Sequence, residues 1–301
     1  FILVCKNKKL IGSFWDFLHK HYGKFPVSFI TKLNGASVCT ENNQIGKPKS
    51  FLCSHLNKIN QLIETHSIPS KKIPVPVRPG NMPEIDTECP AKLRTLYQEQ
   101  YGSFNWIIRY REDLHFAAKF YGIAMSNPSA KTYADVQSCL SFLDETKYFD
   151  RRFTLDKSKP VFYVISDSSH GGTELPGRTS VHCNQFFVCG TMVEQVTSTS
   201  RAQQSSGVAE YIGISKGMIE ALRWINTLIY CFPVEMHPIF PVPFYCDSTA
   251  ANAMAKSYTM TKSVKHLDIA TNQCRDYVAA HIFDVRHIQD PSADMSTKVE
   301  T

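Results

Sequence analysis

Four acidic residues occupy positions from which they could act together. Asp167 and Asp247 each follow an apolar, aromatic run, in KPVFYVISDSSHGG and FPVPFYCDSTAANAMAKS. Glu210 falls in the first turn of a predicted helix that begins SSGVAEYIGIS, and Asp294 begins a final turn, SADM. Because strand ends and helix N-termini can meet at one edge of a sheet, we expect the four side chains to converge. Carboxylates brought together repel one another, and a pair of divalent cations relieves that repulsion.

The chemistry that this set predicts is phosphodiester cleavage at two Mg²⁺ ions, for which Mn²⁺ can substitute. Hard oxygen ligands suit Mg²⁺, and two such ions about 4 Å apart can activate a water and stabilise a leaving oxygen. Taken singly, each acid is more simply a solvated turn residue or a partner of a helix dipole. The order Asp, Glu, Asp, Asp on strand, helix, strand and helix is what favours a shared metal site.

The elements that must position these residues predict an α/β domain over residues 159–301. Two β-like runs, SVHCNQFFVCG and MVEQVTSTS, follow the strand that ends at Asp167. A helix from about Gly207 to Tyr230 comes next, with apolar residues on one face. The strand ending at Asp247, a short helix, a helix around HLDIATNQCRDYVAAH and the strand IFDVRHI complete the pattern. This order predicts a mixed five-stranded sheet with flanking helices.

The upstream half predicts two further segments, residues 1–84 and 85–158. The first segment is expected to contain a short strand (FILVC), a helix (IGSFWDFLHKHYG), a β-hairpin turning at Asn34-Gly35 and a helix over FLCSHLNKINQLIETH. The Pro- and Lys-rich stretch 67–84 marks its end, since neither a helix nor a central strand persists there. Residues 91–147 are expected to be helical, with a break at Asn127-Pro128.

Composition narrows the function classes. The chain has 301 residues, 43% of them apolar, and a net charge of +6, which permits a polyanionic partner. No tract is long and uncharged enough for a membrane span, so no membrane partner is expected. Ten cysteines without a CxxC pair argue against a zinc–thiolate site and favour a reducing cytoplasm or nucleus. Because the chain opens with Phe inside a strand-like run, we expect a fragment of a longer polypeptide.

Several motifs together resemble a known family. The stretch YGSFNWIIRYREDLHFAAKFYGIAMSNPSAKTYADVQSCLSFLDET is similar to a helical segment of the Pol polyprotein of copia-type LTR retrotransposons. Five later stretches resemble, in order, the motifs of that family's RNase H domain. They are ISDSSHGG, SSGVAEYIGIS, YCDSTAANAMAKS, VKHLDIA and IQDPSADMSTK. The resemblance implies an α+β, multi-domain fragment, in which an RNase H-like domain from about residue 159 is preceded by a reverse transcriptase palm remnant and a helical thumb or connection segment. The polymerase YVDD loop is absent, so DNA synthesis by this chain alone is not expected.

The resemblance also assigns roles residue by residue. Asp167, Glu210, Asp247 and Asp294 match the family's four metal-binding acids, which implies hydrolysis of the RNA strand in RNA/DNA hybrids. The hybrid would be recognised by groove shape and 2′-hydroxyls. The implied partners are the hybrid and the upstream fingers and palm of the same polyprotein, with a dimer left open. The implied location is a cytoplasmic virus-like particle, with the nucleus as an alternative.

Departures from the family keep a second function open. Ser169 and His170 replace an aspartate and a tryptophan, and a lysine-rich stretch before SSGVAEY is replaced by the mostly uncharged VEQVTSTSRAQQ. Because phosphate contacts dominate nucleic-acid affinity, this loss should weaken the grip on a duplex. The alternative is therefore a catalytically silent relic, or a domesticated protein that binds nucleic acid or another protein. An integrase-type nuclease fits less well, because its acids are expected in the order Asp, Asp, Glu.

Secondary candidates have simpler structural readings. His266 is expected to make a structural hydrogen bond, and His287 is expected to pack inside on the last strand. Four aromatic residues at helical spacing could stack on bases, although core packing explains the spacing more simply. They are Trp106, Tyr110, Phe116 and Phe120. Four basic residues near the linker are expected to be solvated, with a template–primer contact as the alternative. They are Lys49, Lys71, Lys72 and Arg78.

Overall fold

A computed structural model gives the structure of most of the chain. It describes residues 16, 20–21, 32–33, 36–42, 48–78, 82–108, 111–154, 156, 158–170, 179–201, 203, 205–232, 234–257 and 269–289. The predicted strand over residues 1–5 and most of the helix predicted after it lie outside these ranges.

The first sheet is antiparallel and has the order β1-β2-β3-β4. Its strands are β1 (Lys32–Leu33), β2 (Ala36–Asn42), β3 (Pro48–Ser54) and β4 (Arg151–Phe153). Leu33 pairs with Ala36, which is the pairing that a two-residue hairpin at Asn34-Gly35 requires. The fourth strand arrives from far along the chain, since Phe51 pairs with Phe153.

The helix predicted over FLCSHLNKINQLIETH begins later than expected. Residues 51–54 belong to β3, and helix α1 spans Leu56–Thr65. The prediction was wrong for the first five residues. β2 and β4 flank residues 51–54 and pair with their backbone, which outweighs the helical periodicity, and His55 lies just before the helix. Helix α1 then buries Ile59 and Leu62.

Three helices follow in the segment that was predicted to be helical. They are α2 (Ala91–Ile107), α3 (His115–Gly122) and α4 (Ala130–Glu145), with a 3₁₀ turn at Glu112–Leu114 before α3. The break at Asn127-Pro128 falls between α3 and α4, as predicted. Their core contains Tyr97, Phe104 and Leu140, and it also takes up Ile68 and Val77 from the Pro-rich stretch. As predicted, residues 67–78 form neither a helix nor a strand. They nevertheless pack onto the helices through Ile68 and Val77.

The second sheet has five strands in the order β7-β6-β5-β8-β9. The strands are β5 (Phe162–Ser169), β6 (Ser180–Val188), β7 (Thr191–Ser200), β8 (Val242–Cys246) and β9 (Phe283–His287). Helices α5 (Ser206–Cys231), α6 (Thr249–Lys256) and α7 (Ile269–Ala279) connect and cover them. β5, β6 and β7 are antiparallel, whereas β5, β8 and β9 are parallel. This confirms the predicted mixed five-stranded sheet with flanking helices.

Helix α5 packs closely on the centre of this sheet. Ser205 caps its N-terminus, with the side chain accepting a hydrogen bond from the Val208 N–H. A Cβ at Gly213 would overlap the Ser168 hydroxyl, and one at Gly217 would overlap the Asn184 amide oxygen. The two glycines therefore allow the helix backbone to approach polar side chains of β5 and β6. Among the described residues, no helix is both long and apolar enough to cross a membrane.

Candidate active site

Two of the predicted acids lie at matching positions on neighbouring parallel strands. β5 pairs with β8 through Ile165 with Tyr245 and Ser166 with Cys246, so the next positions along are Asp167 and Asp247. Asp167 lies inside β5, which continues to Ser169; the expectation that the strand ends at Asp167 was wrong. The strand extends because β6 pairs with it as far as Ser169. Asp167 is 1% exposed, whereas Asp247 follows the end of β8 and is partly exposed.

The third acid, Glu210, comes from the first turns of α5 and is directed to the same sheet edge. The Ser168 backbone N–H donates a 3.1 Å hydrogen bond to Glu210 Oε1. The Cys246 thiol donates to Glu210 Oε2 at 3.7 Å. Glu210 is therefore held between β5 and β8, the strands that carry the two aspartates, and is 6% exposed.

Burial and charge act on Glu210 in the same direction. Burial raises the pKa of its carboxyl to about 8, and the charges of Asp167 and Asp247 contribute to the rise. The hydrogen bonds from Ser168 and Cys246 oppose it. Glu210 is thus mostly protonated at neutral pH when no cation is bound. Its contacts with Ser168 and Cys246, the residues next to the two aspartates, bring the three carboxyl groups to the same end of the sheet.

A buried histidine supports the strand that carries Asp167. His182 Nδ1 lies 2.9 Å from Ser168 Oγ, and its Nε2 lies 2.8 Å from Ser200 Oγ, so the ring bridges β5 and β7 from its place on β6. Burial lowers the pKa of His182 to about 3, and the charges of Lys216 and Lys119 contribute. The imidazole is therefore neutral, with one nitrogen donating and the other accepting.

The donor atoms at this edge fit a divalent cation. Glu210, Cys246 and Asp247 each offer one ligand atom, and these atoms all lie within 4.8 Å of one another. Asp167 is not part of this group, although its charge affects Glu210. Carboxylate oxygens are the ligands that Mg²⁺ prefers, and a dication would offset the repulsion among the acids. The set therefore fits the predicted metal, with a thiol as an additional donor.

The remaining predictions have mixed outcomes. Asp294, His266 and Tyr110 lie outside the described residues. His287 is exposed, so the expectation that it packs inside was wrong; it stands near the end of β9, where its side chain reaches solvent. Phe116 and Phe120 are buried as predicted, at 6% and 1% exposure. Of the basic residues near the linker, Lys71, Lys72 and Arg78 are exposed, as predicted.

Trp106 is 41% exposed, so core packing does not account for it. It lines a cavity of about 490 Å³ between α1 and α2. Lys58 of α1 and His66, which directly follows α1, line the same cavity. An indole and a basic side chain thus face one groove.

Sequence reasoning missed three contributors to the site: Ser168, His182 and Cys246. Ser168 acts through its backbone, and His182 comes from a neighbouring strand, so neither has a local signature. Cys246 directly precedes Asp247, and that adjacency was the available signal. Closely paired cysteines are the usual sequence signature of a thiolate ligand, and Cys246 has no such partner.

The strand order and directions define the class of fold. Three antiparallel strands in sequence, then a helix, then two parallel strands added beyond the first strand, form the RNase H-like arrangement. In this arrangement Asp167 lies near the end of β5, Asp247 directly follows the neighbouring strand β8, and Glu210 lies near the start of α5.

Comparisons with known proteins give distant similarities. No family model matches the chain. The chain is similar to the structure of LC11-RNase H1, isolated from compost, with 12% identity and a TM-score of 0.31 over 44% of this chain and 86% of that one. It is also similar to foamy viral protease-reverse transcriptase in complex with an RNA/DNA hybrid, with 9% identity and a TM-score of 0.43 over 70% of this chain and 28% of that one.

A second foamy viral structure, in complex with dsDNA, matches 89% of this chain and 45% of the other, with 10% identity and a TM-score of 0.42. The chain thus spans less than half of either foamy viral protein. The assignment of the fold rests on the sheet order and not on these values.

Proposed function

We propose that the chain is the reverse transcriptase/RNase H part of a copia-type retrotransposon Pol polyprotein, and that it hydrolyses the RNA strand of RNA/DNA hybrids with Mg²⁺. The observation that carries this proposal is the convergence of Asp167, Glu210 and Asp247. They come from three separate segments of the sequence, yet the pairing of β5 with β8 puts the two aspartates at matching positions, and Ser168 and Cys246, the residues beside them, both donate to Glu210. We also infer a division near residues 84 and 158 into palm remnant, helical connection and nuclease domain.

The residues of the proposed site would have separate roles in holding the cations and in orienting Glu210. Asp167, Glu210 and Asp247 would hold the cation, with Asp294 as the fourth ligand that the resemblance implies. A bound pair of Mg²⁺ ions supplies an activated water and stabilisation of the leaving oxygen. Ser168 fixes one oxygen of Glu210, which leaves the other oxygen directed towards Cys246 and the sheet edge. Loss of the Glu210 proton accompanies cation binding, because the carboxylate is the ligand form.

One observation favours the second candidate, a binding protein that does not cut. Asp167 is 1% exposed, so its carboxylate is closed off in this structure from a substrate that approaches through solvent. Ser169 and His170, which depart from the family pattern, lie two and three residues after it. His170 Nε2 lies 2.8 Å from the Gln203 carbonyl oxygen and so ties the end of β5 to the segment before α5. With this carboxylate out of reach of a substrate, the chain would act as a binding module for nucleic acid or protein and would not hydrolyse the hybrid.

A cleavage assay on the full 301-residue chain separates these candidates. The chain would be incubated with an end-labelled RNA/DNA hybrid in Mg²⁺ or Mn²⁺, with double-stranded DNA and RNA as substrate controls. We expect metal-dependent cutting of the RNA strand alone, and its loss in Asp167→Asn and Glu210→Gln.

The matched control is Glu220→Gln, which changes an acid on the same helix whose partner is Arg223 and which should cut normally. A chain that is folded by circular dichroism but does not cut would contradict the nuclease proposal. Retained binding of the hybrid by that chain would then support the silent binding protein.

A further inference from the structure

Arg275 is a buried arginine on α7 whose surroundings differ from those of an ordinary ion-paired arginine. It is 7% exposed, and within the described part of the chain no acidic side chain forms an ion pair with it. Its Nη2 atom is buried and has no hydrogen-bond partner there. An unpaired buried donor destabilises a fold, and an apolar side chain would fill the same space without that loss. Space filling alone therefore does not explain an arginine at this position.

The guanidinium of Arg275 joins α7 to the end of α6. Its Nε donates a 3.0 Å hydrogen bond to the carbonyl oxygen of Met254. Met254 lies in the last turn of α6, where carbonyl groups have no partner within the helix and a cation complements the helix dipole. At its other end α6 begins at the Ser248 cap, which directly follows Asp247. The position of α6 and that of Asp247 are therefore coupled.

The same guanidinium holds the residue beside Glu210. Its Cζ lies 5.6 Å from the centroid of the Tyr211 ring, within the range of a cation–π contact. Tyr211 is fully buried, and its hydroxyl donates a 3.2 Å hydrogen bond to Oδ1 of Asn272, one turn before Arg275 on α7. Helix α7 thus holds Tyr211 by both its ring and its hydroxyl. Because Tyr211 directly follows Glu210, these contacts also fix the start of α5.

Helices α5 and α6 also meet directly, one turn before Glu210. A Cβ at Gly207 would lie 3.3 Å from the Cβ of Ala250 and 3.4 Å from the Cε of Met254. The contact at Gly207 therefore limits how closely the two helices approach. Arg275 touches both helices, and so it limits how far they separate.

We propose that Arg275 is a positioning residue of the acidic site, and that its guanidinium holds α5 and α6 at the spacing at which Glu210 and Asp247 bind one cation. The inference rests on the proposed function, because it concerns the same site. It assigns part of the control of that site to a residue that is not itself a cation ligand. Lysine would not replace Arg275, since an ammonium lacks the planar surface that packs on Tyr211 while its edge donates to Met254.

Mn²⁺ binding tests this role without a measurement of cleavage. The full chain, free of metal, would be titrated with Mn²⁺, and the free ion would be followed by electron paramagnetic resonance. We expect Arg275→Met to weaken Mn²⁺ binding by about 10-fold, the lower end of the range for residues that orient metal ligands. Arg275→Lys, which keeps the charge, should also weaken it and decides the question if Arg275→Met does not fold.

Two controls separate positioning from a general loss of structure. Arg223→Met removes an arginine of α5 that pairs with Glu194 and Glu220, and it should keep the native Mn²⁺ affinity. In a Glu210→Gln background, Arg275→Met should change the affinity little, because its effect passes through Glu210. A purely structural role would instead weaken binding by the same factor in both backgrounds, and that result would overturn the proposal.

The outcomes also separate this inference from the proposed function. Native Mn²⁺ affinity in both Arg275 variants would overturn the positioning role, even in a chain that cuts the hybrid. A native chain that binds Mn²⁺ but does not cut would contradict the nuclease only, and weakened binding by the Arg275 variants would still support the role of Arg275. No Mn²⁺ binding by the folded native chain would overturn both.

Discussion

The backbone N–H of Ser168 and the carboxyl of Glu210 are joined by a 3.1 Å hydrogen bond, which ties β5 to α5 one residue away from Asp167. This contact requires α5 to lie close to the sheet. The helix can do so because Gly213, one turn beyond Glu210, presents only a hydrogen to the Ser168 side chain. The position of one acid relative to another is therefore set by helix–sheet packing.

We expect Gly213→Ala to lower both stability and cleavage. The added methyl would overlap the Ser168 hydroxyl and displace α5 from β5, which would lengthen the contact between Ser168 and Glu210. Overpacking of this kind costs about 1–3 kcal/mol. Urea unfolding and cleavage rates would measure the two effects.

The matched control for this change is Gly102→Ala on α2, where an added Cβ meets nothing within 4 Å. That variant should gain roughly 0.5–1 kcal/mol from helix propensity. If Gly213→Ala were as stable and as active as the native chain, close packing would not be what positions Glu210.

The raised pKa of Glu210 predicts a pH dependence of stability in the metal-free chain. Its carboxyl has a pKa of about 8 when folded, against an ordinary value of 4.5, so the native state holds this proton over a range in which the unfolded state loses it. The free energy of unfolding should therefore fall as pH rises from 4.5 to 8. Glu210→Gln should remove this fall and be more stable than the native chain at pH 8.

Urea unfolding in EDTA at pH 5, 6.5 and 8 would test this prediction, with Glu220→Gln as the control that keeps the native slope. Addition of Mg²⁺ should raise the stability of the native chain at pH 8 more than that of Glu210→Gln, since binding to the folded state alone stabilises it. Equal slopes for the native chain and Glu210→Gln would contradict the assignment.

His182 predicts a second pH effect, of the opposite sign. Its folded pKa of about 3 lies below its ordinary value of 6.5, so the unfolded chain takes up a proton first as the pH falls. Stability that is present above pH 6.5 is lost towards pH 3. His182→Phe should make this acid loss shallower, although His115, whose pKa burial lowers to about 4, should keep part of it.

At neutral pH His182→Phe should be less stable by about 1–3 kcal/mol, because the buried Ser168 hydroxyl loses its partner. Urea unfolding at pH 7, 5 and 4 measures both effects. His287→Phe changes an exposed histidine and is the control. A His182→Phe variant with native stability at pH 7 would mean that the bridge between β5 and β7 contributes nothing.

Local pattern and long-range contact explain which parts of this molecule could be predicted from its sequence. Helix α5 has strong helical periodicity and the stretches before Asp167 and Asp247 are apolar runs bounded by polar residues, so the half with the five-stranded sheet was predicted nearly element by element. Residues 51–54 look helical locally and become a strand because partners about 15 and 100 residues away pair with them. The thiol of Cys246 and the ring of His182 lie at the site because of the register in which β8 and β6 pair with β5. A single sequence does not show that register.

The exposed ring of Trp106 predicts a contact with single-stranded nucleic acid. It lines a groove with Lys58 and His66, where an unpaired base could stack on the indole while a basic side chain meets its phosphate. Stacking of one base is worth about 1–3 kcal/mol, so Trp106→Ala should weaken binding of a hybrid with a single-stranded overhang by roughly 5- to 100-fold. Fluorescence anisotropy at fixed salt would measure this change.

The control is Tyr148→Ala, which removes an aromatic ring that is 72% exposed outside the groove. This variant should bind the hybrid with native affinity. Equal affinities for the two variants would show that the groove does not contact nucleic acid.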